Sequence, residues 1–139
     1  MMPRADVVLI CDQIIQDAQT GKNSLIGLFD RIFCQSFPAV HPQLFIYTRL
    51  RGEPAQQFRP SLRLVGPSGV LLDLKMGEVT LGITGVVELK NQIVGLRLPE
   101  PGEYRFLTMI NDLEAGETRM RVDQVQPRQP AAPPSESVN

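Results

Sequence analysis

The sequence is poor in the residues that build disulfide frameworks, histidine-rich metal sites and sugar-binding platforms. Its 139 residues include two Cys, one His and no Trp, and aromatic residues make up 6%. Two Cys cannot form a disulfide framework, and one His cannot form a histidine-rich metal site. Carbohydrate-binding surfaces usually depend on exposed aromatic rings, so the missing Trp counts against a sugar-binding module. We expect no metal ion and no cofactor.

The chain also lacks an excess of charge and a long apolar run. Fourteen Lys and Arg against fifteen Asp and Glu give a net charge of −1, too little to attract nucleic acid or an anionic membrane. The apolar run at residues 7–11 is too short for the core of a signal peptide, and no stretch approaches the roughly 18 apolar residues that span a bilayer. We therefore expect a cytoplasmic protein with reduced Cys11 and Cys34 and with neither a nucleic-acid nor a membrane partner.

Motifs of nucleotide-binding and hydrolytic enzymes are missing as well. Gly21-Lys22 lacks the glycine that a phosphate-binding loop needs five residues earlier, and no Gly-x-Ser-x-Gly segment is present. His41 stands between two prolines and reads as a loop histidine. The spacing of the acids does not match a calcium-binding loop. We expect no catalytic residue, and we interpret Asp12 and Asp17 as turn and cap residues and Asp30-Arg31 as a local ion pair.

What is present is a succession of short strands. Residues 43–51 alternate, with Leu44, Ile46 and Leu50 on one face, and residues 58–65 alternate in the same way. Closely spaced short strands with Gly and Pro between them predict an all-β sandwich or barrel. One exception is residues 12–19, where the apolar spacing predicts a short helical turn.

Two further segments refine the fold. The Pro-Gly corner before Tyr104 and Phe106 resembles the tyrosine corner of immunoglobulin-like sandwiches, in which the phenol hydrogen-bonds the backbone upstream. Four of the twelve prolines fall in residues 126–139, which contain almost nothing to bury. We therefore predict an immunoglobulin-like antiparallel β-sandwich over residues 1–125 and a disordered proline-rich tail over residues 126–139.

The same segments carry a resemblance to a family. Leu9-Ile10-Cys11-Asp12, the segment from Thr20 to Asp30 and the Pro-Gly-x-Tyr-x-Phe corner resemble an uncharacterised family of small bacterial β-sandwich proteins. Its members are single domains of similar length with a C-D…G-K-x-S-L-x-G-x-F pattern near the N-terminus. The resemblance implies the fold and a bacterial origin, and it brings no activity, ligand or catalytic residue.

The basic residues are unevenly chosen, with eleven Arg and three Lys. Arg is favoured over Lys in interfaces, because its guanidinium is planar and weakly hydrated. If residues 43–51, 104–111 and 118–125 were neighbours in one sheet, their outer faces would form a mixed aromatic and arginine surface. The seven residues of this predicted interaction surface are Phe45, Tyr47, Arg49, Arg51, Arg105, Arg119 and Arg121. The other reading is a solvated face on which cross-strand Glu residues pair with the Arg residues.

These observations favour a non-catalytic cytoplasmic module for binding or assembly that acts through the outer face of one sheet. Its partner would be another protein or a second copy in a homodimer. The alternative is a small enzyme or carbohydrate-binding sandwich with a site built from loop carboxylates. Buried acids in a concave pocket would favour that alternative, and a flat patch of apolar residues and Arg would favour the module.

Overall fold

The computed structural model describes residues 2–126, so all of the predicted tail but Gln126 lies outside the described residues. The described residues form strands and no helix. The strands are β1 Arg4–Gln16, β2 Asn23–Leu28, β3 Arg31–Cys34, β4 Ala39–Arg51, β5 Gln57–Phe58, β6 Pro60–Gly66, β7 Gly69–Lys75, β8 Val79–Thr80, β9 Val86–Leu98, β10 Gly102–Ile110 and β11 Leu113–Gln124.

Two sheets account for most of these strands. A four-stranded sheet has the order β2-β1-β4-β9, and a five-stranded sheet has the order β3-β11-β10-β6-β7. Strands β5 and β8 form a small separate pair. Neighbouring strands are antiparallel except for β3, which runs parallel to β11. The predicted all-β sandwich is confirmed.

Alternation along the strands builds the core between the two sheets. Leu44 and Ile46 of β4 point inward from the four-stranded sheet, and Tyr104 and Phe106 of β10 point inward from the other; all four are fully buried. Burying a large apolar side chain stabilises a fold by about 1.5–3 kcal/mol. The main stabilisation therefore comes from this shared interior, as the alternation in the sequence indicates.

A buried polar contact also joins the sheets. The hydroxyls of Thr48 on β4 and Thr108 on β10 share a hydrogen bond of 3.2 Å, and each residue is 1% exposed. A buried hydroxyl without a partner would be destabilising, so each threonine satisfies the other.

The tyrosine corner is confirmed. The Tyr104 hydroxyl donates to the carbonyl oxygen of Glu100 at 2.5 Å and accepts from the Glu100 amide at 3.3 Å. Burial raises the pKa of the Tyr104 phenol above its ordinary value. The corner fixes the turn that leads into β10.

The predicted helical turn at residues 12–19 is wrong. β1 continues to Gln16 and pairs with β2, with Ile14 opposite Leu25. The β-branched Ile14 and Ile15 suit an extended ladder better than a single helical turn. Asp17 nevertheless has a turn role, because its carboxylate accepts the amides of residues 19 and 20 at 2.8 and 2.9 Å. These amides lower the pKa of Asp17.

Two more local expectations need correction. Arg31 forms its ion pair with Asp123 at 3.1 Å and not with Asp30, because β3 lies beside β11. His41 lies within β4 and not in a loop, and its ring contacts Phe29 with 5.8 Å between centroids. In both cases a residue from elsewhere in the chain supplies a contact that the neighbouring residues in the sequence do not reveal.

Candidate interaction surface

The seven residues of the predicted surface lie on two different sheets. Phe45, Tyr47, Arg49 and Arg51 belong to β4 in the four-stranded sheet, whereas Arg105, Arg119 and Arg121 belong to β10 and β11 in the five-stranded sheet. The assumption that the three strands are neighbours is therefore wrong. Both long edges of β4 are already occupied, by β1 and by β9. Alternation shows which way a side chain points, but it does not identify the neighbouring strand.

The arginines of the five-stranded sheet are paired with acids. Arg105 and Arg119 stand opposite each other on β10 and β11, and the Glu117 carboxylate joins them, accepting from Arg105 at 2.5 Å and from Arg119 at 2.6 Å. These two guanidinium groups hold the pKa of Glu117 below its ordinary value. The negative charge of Glu117 thereby offsets the repulsion between the guanidinium groups of Arg105 and Arg119.

The same pattern continues along this face. Arg119 also pairs with Glu103 at 3.0 Å, and Asp123 accepts from Arg121 at 3.0 Å and from Arg31 at 3.1 Å. The outer face of the five-stranded sheet is thus a network of exposed ion pairs. Such pairs contribute about 0–1 kcal/mol each to stability and are ordinary on solvated surfaces. This half of the predicted surface matches the solvated-face reading.

On the four-stranded sheet, Tyr47 is buried although it points away from the core. Its hydroxyl donates a hydrogen bond to the Glu88 carboxylate on β9. Burial, followed by the contact with Glu88, raises the pKa of Tyr47 to about 12, while the phenol lowers the pKa of Glu88. Tyr47 therefore ties β4 to its edge neighbour.

The end of the hairpin of β1 and β2 reaches the residues beside Tyr47. β2 and β9 are the two outermost strands of the sheet, yet the Lys90 ammonium on β9 donates to the Asn23 amide oxygen on β2 at 3.3 Å. Asn23 also hydrogen-bonds Glu88. Because Glu88 and Lys90 point to the same side as Tyr47, the hairpin must fold back over the outer face of the sheet. Two-stranded ribbons twist strongly, which permits this course.

A glycine allows β2 to pass close to β1 at the base of the hairpin. Gly27 has φ +73°, and a Cβ atom there would lie 2.3 Å from the Asp12 carboxylate oxygen. Only glycine meets both requirements without strain. Asp12 and Gly27 both belong to the Cys-Asp…Gly pattern quoted above, so part of that pattern serves the geometry of the hairpin.

The hairpin leaves a group of aliphatic side chains exposed. Ile15, Ile26 and Leu28 are 45%, 45% and 59% exposed, and Leu9 is 37% exposed. Leu28 stands opposite Cys11, which is two residues from Leu9, and Ile26 stands opposite Gln13. We call Leu9, Ile15, Ile26 and Leu28 the aliphatic face.

Sequence reasoning missed the aliphatic face. Residues 7–11 form an apolar run and residues 24–33 a nearly continuous one, and such runs are typical of strands buried on both sides. In the structure only Ile10 and Cys11 of β1 are buried, and every residue of β2 is half-buried or exposed. The available signal was that one sandwich core cannot cover both sides of every apolar strand.

The other predicted residues of β4 lie on the outer side of the four-stranded sheet; they are Phe45, Arg49 and Arg51. Phe45 is half-buried opposite Cys11, and Arg49 is exposed opposite Glu88. Arg51 is paired with Asp6 at 2.7 Å. The β4 half of the predicted surface therefore contributes the border of the aliphatic face and not its centre.

Three cavities have an acid in their lining and could hold a carboxylate site. One of about 290 Å³ is lined by Asp12 and His41 among others, and one of about 420 Å³ is lined by Asp30 and Arg119 among others. A third of about 450 Å³ is lined by Asp73 among others, and this Asp73 is already bound to Arg63 at 3.0 Å. Within residues 2–126, no three His, Cys, Asp or Glu side chains are grouped to hold a metal ion.

Comparison with protein families identifies the chain. A model of the family of unknown function DUF6941 matches residues 6–123, and the protein belongs to this family. No curated protein matches the sequence. The described residues include no helix of the length and apolarity that crossing a membrane requires.

Solved structures give distant similarities. An immunoglobulin-like protein from Pseudomonas aeruginosa shares 11% identity over 88% of this chain and 97% of its own, with a TM-score of 0.46. A DNA-bound alkylpurine DNA glycosylase from Pseudomonas fluorescens shares 13% identity over 84% of this chain, with a TM-score of 0.49, and a Listeria innocua β-glucosidase shares 9% over 68%, with a TM-score of 0.46. This chain matches only 30% of the glycosylase and 15% of the β-glucosidase.

Proposed function

We propose that this protein is a non-catalytic binding module, an immunoglobulin-like sandwich of the bacterial cytoplasm that recognises another protein through the outer side of its four-stranded sheet. The observation that carries the proposal is the aliphatic face. Its four large side chains lie on two paired strands and are each more than a third exposed. Large exposed apolar side chains grouped on neighbouring strands are a feature of contact surfaces.

The contrast with the other sheet supports the choice of face. Arg105, Arg119 and Arg121 are already bound to acids of their own chain. A partner would have to replace those ion pairs, with little net gain. A partner on the aliphatic face would only displace water from apolar surface, which contributes about 25 cal/mol for each Å² buried. The free thiols of Cys11 and Cys34 suit a reducing compartment.

Site-specific photocrosslinking in the native host tests the proposal. A photoreactive residue is placed at Leu28 or, as a matched control, at Val70 on β7, since both side chains are 59% exposed. We expect one protein to be crosslinked from position 28 and not from position 70. Ile26→Asp in the position-28 variant should abolish that product, because it places a charge in the contact. Equal products from both positions, or none from position 28, would contradict the proposal.

A further inference from the structure

Within residues 2–126 the sandwich has four edge strands, and they differ greatly in length. β3 has four residues, β2 six and β7 seven, whereas β9 has thirteen. β9 pairs with β4 on one side, and no strand of the described chain covers its other side. A long open edge presents a row of backbone donors and acceptors that can pair with another strand.

β9 also lacks most of the features that block edge pairing. Residues 86–94 contain no proline and no residue with positive φ, and the first such residue is Gly95 with φ +65°. β2, by contrast, is interrupted by Gly27, and β3 is too short to offer a ladder. β9 therefore offers the longest uninterrupted edge of the four, with nine such residues (86–94) against six in β7 (70–75).

The charges on β9 select the partner and the register. Glu88 and Lys90 point to the same side, with Leu89 between them. When two copies of β9 run antiparallel about a two-fold axis at Leu89, each Glu88 faces Lys90 of the other copy. A shift of one pair in either direction sets Glu88 against Glu88 or Lys90 against Lys90, and like charges directly opposite each other are unfavourable.

We propose that two copies of this protein pair antiparallel through β9, with Leu89 at the two-fold axis, joining two four-stranded sheets into one eight-stranded sheet. The charge pattern is self-complementary, as a closed two-fold interface requires. The existing contacts permit this pairing: the carboxylate of Glu88 can accept further bonds beside those from Tyr47 and Asn23, and the Lys90 ammonium has three donors. This pairing uses the sheet edge and does not depend on the partner proposed for the aliphatic face.

Charge reversal combined with sedimentation equilibrium tests the register. Glu88→Lys and Lys90→Glu should each weaken self-association roughly tenfold, since two attractive contacts become repulsive. An equal mixture of the two single variants should recover association, because each Lys then faces a Glu. The double variant Glu88→Lys, Lys90→Glu should recover it as well. Glu78→Lys, an exposed reversal of the same size in the loop before β8, should leave association unchanged.

Tyr47→Phe tests whether association depends on the charges of β9 or on the hydrogen bond from Tyr47 to Glu88. It removes the hydrogen bond to Glu88 but keeps both edge charges, so we expect unchanged association. A wild-type protein that stays monomeric at millimolar concentration would overturn the proposal. So would single variants that associate like the wild type, or a mixture that fails to recover association while each variant remains folded by circular dichroism.

Discussion

The outer faces of the two sheets differ in how far their side chains are paired within the chain. On the five-stranded sheet, arginines of β10 and β11 are bound to Glu103, Glu117 and Asp123. On the four-stranded sheet, the hairpin folds over Tyr47 and leaves the aliphatic face in water. One surface has its interactions completed within the chain, and the other does not. The second is the place to look for a partner.

The polar contacts on the two faces also differ in their surroundings. Tyr47 is 7% exposed and donates to a carboxylate, and such bonds contribute about 1.5–3 kcal/mol. The Arg119 side chain is 57% exposed and shares its acids with water and with other arginines. Removing a contact should therefore destabilise the four-stranded side more than the five-stranded side.

The largest effect is expected at Gly27. Gly27→Ala should lower the free energy of unfolding by roughly 2–3 kcal/mol, because alanine is strained at positive φ and its Cβ would collide with Asp12. Gly21 is the matched control, with φ +73° as well and no atom of the described residues within 4 Å of the added Cβ. Gly21→Ala should lose only about 1 kcal/mol. Urea denaturation of both variants measures the difference, and equal losses would show that Asp12 does not constrain the hairpin.

A smaller effect is expected at Tyr47. Tyr47→Phe should lose about 1.5 kcal/mol at pH 7, the lower end for a hydrogen bond to a charged group, because Glu88 stays open to water. The stability of the wild type should fall at both ends of the pH range. The raised pKa of Tyr47 means that wild-type stability falls as the pH rises from 10 to about 12. The lowered pKa of Glu88 means that stability also falls as the pH drops through that pKa.

The matched measurement compares unfolding of wild type and Tyr47→Phe across both limits. The phenylalanine variant should lose less stability at alkaline pH, because the titrating phenol is gone. It should also lose less in acid, because the phenol no longer lowers the pKa of Glu88. A variant that follows the wild-type profile at both limits would show that the Tyr47–Glu88 bond does not contribute to folding. The polar contact that distinguishes the four-stranded sheet from the five-stranded sheet would then contribute nothing to the free energy of unfolding.

The features predicted from sequence are those set by neighbouring residues. The corner at Tyr104 was predictable because its bond reaches back four residues, and the inward side chains of β4 were predictable from alternation. Strand partners were not predictable in this way. Arg105 and Phe45 fall on different sheets because β4 is already flanked by β1 and β9. The fold-back of the hairpin depends on Asn23 meeting Lys90, a contact across 67 positions that no local pattern indicates.

Tyr104→Phe tests the corner that leads into the five-stranded sheet. The phenol oxygen accepts one backbone amide and donates to one carbonyl of Glu100. Its removal should destabilise the protein by about 1 kcal/mol, the typical net contribution of a neutral hydrogen bond. Thermal or urea unfolding provides the measurement. A loss larger than that of Tyr47→Phe would reverse the order proposed for the two sides, and no loss would show that packing alone holds the corner.

The smallest effect is expected at Glu117, in the ion-pair network of the five-stranded sheet. Glu117→Gln should lose less than about 1 kcal/mol at neutral pH, because the contacts with Arg105 and Arg119 are partly exposed. The lowered pKa of Glu117 gives a stabilisation that is present above the ordinary carboxyl pKa and is lost as the pH falls through the lowered one. The difference in stability between wild type and Glu117→Gln should therefore shrink on acidification.

The same difference should also shrink in roughly 1 M salt, where screening acts within about 3 Å. Tyr47→Phe, measured alongside, should keep more of its effect in salt because its bond is buried. If Glu117→Gln proves as damaging and as resistant to salt as Tyr47→Phe, the arginine face is a structural network equal to the hairpin side, and the contrast between the two faces fails.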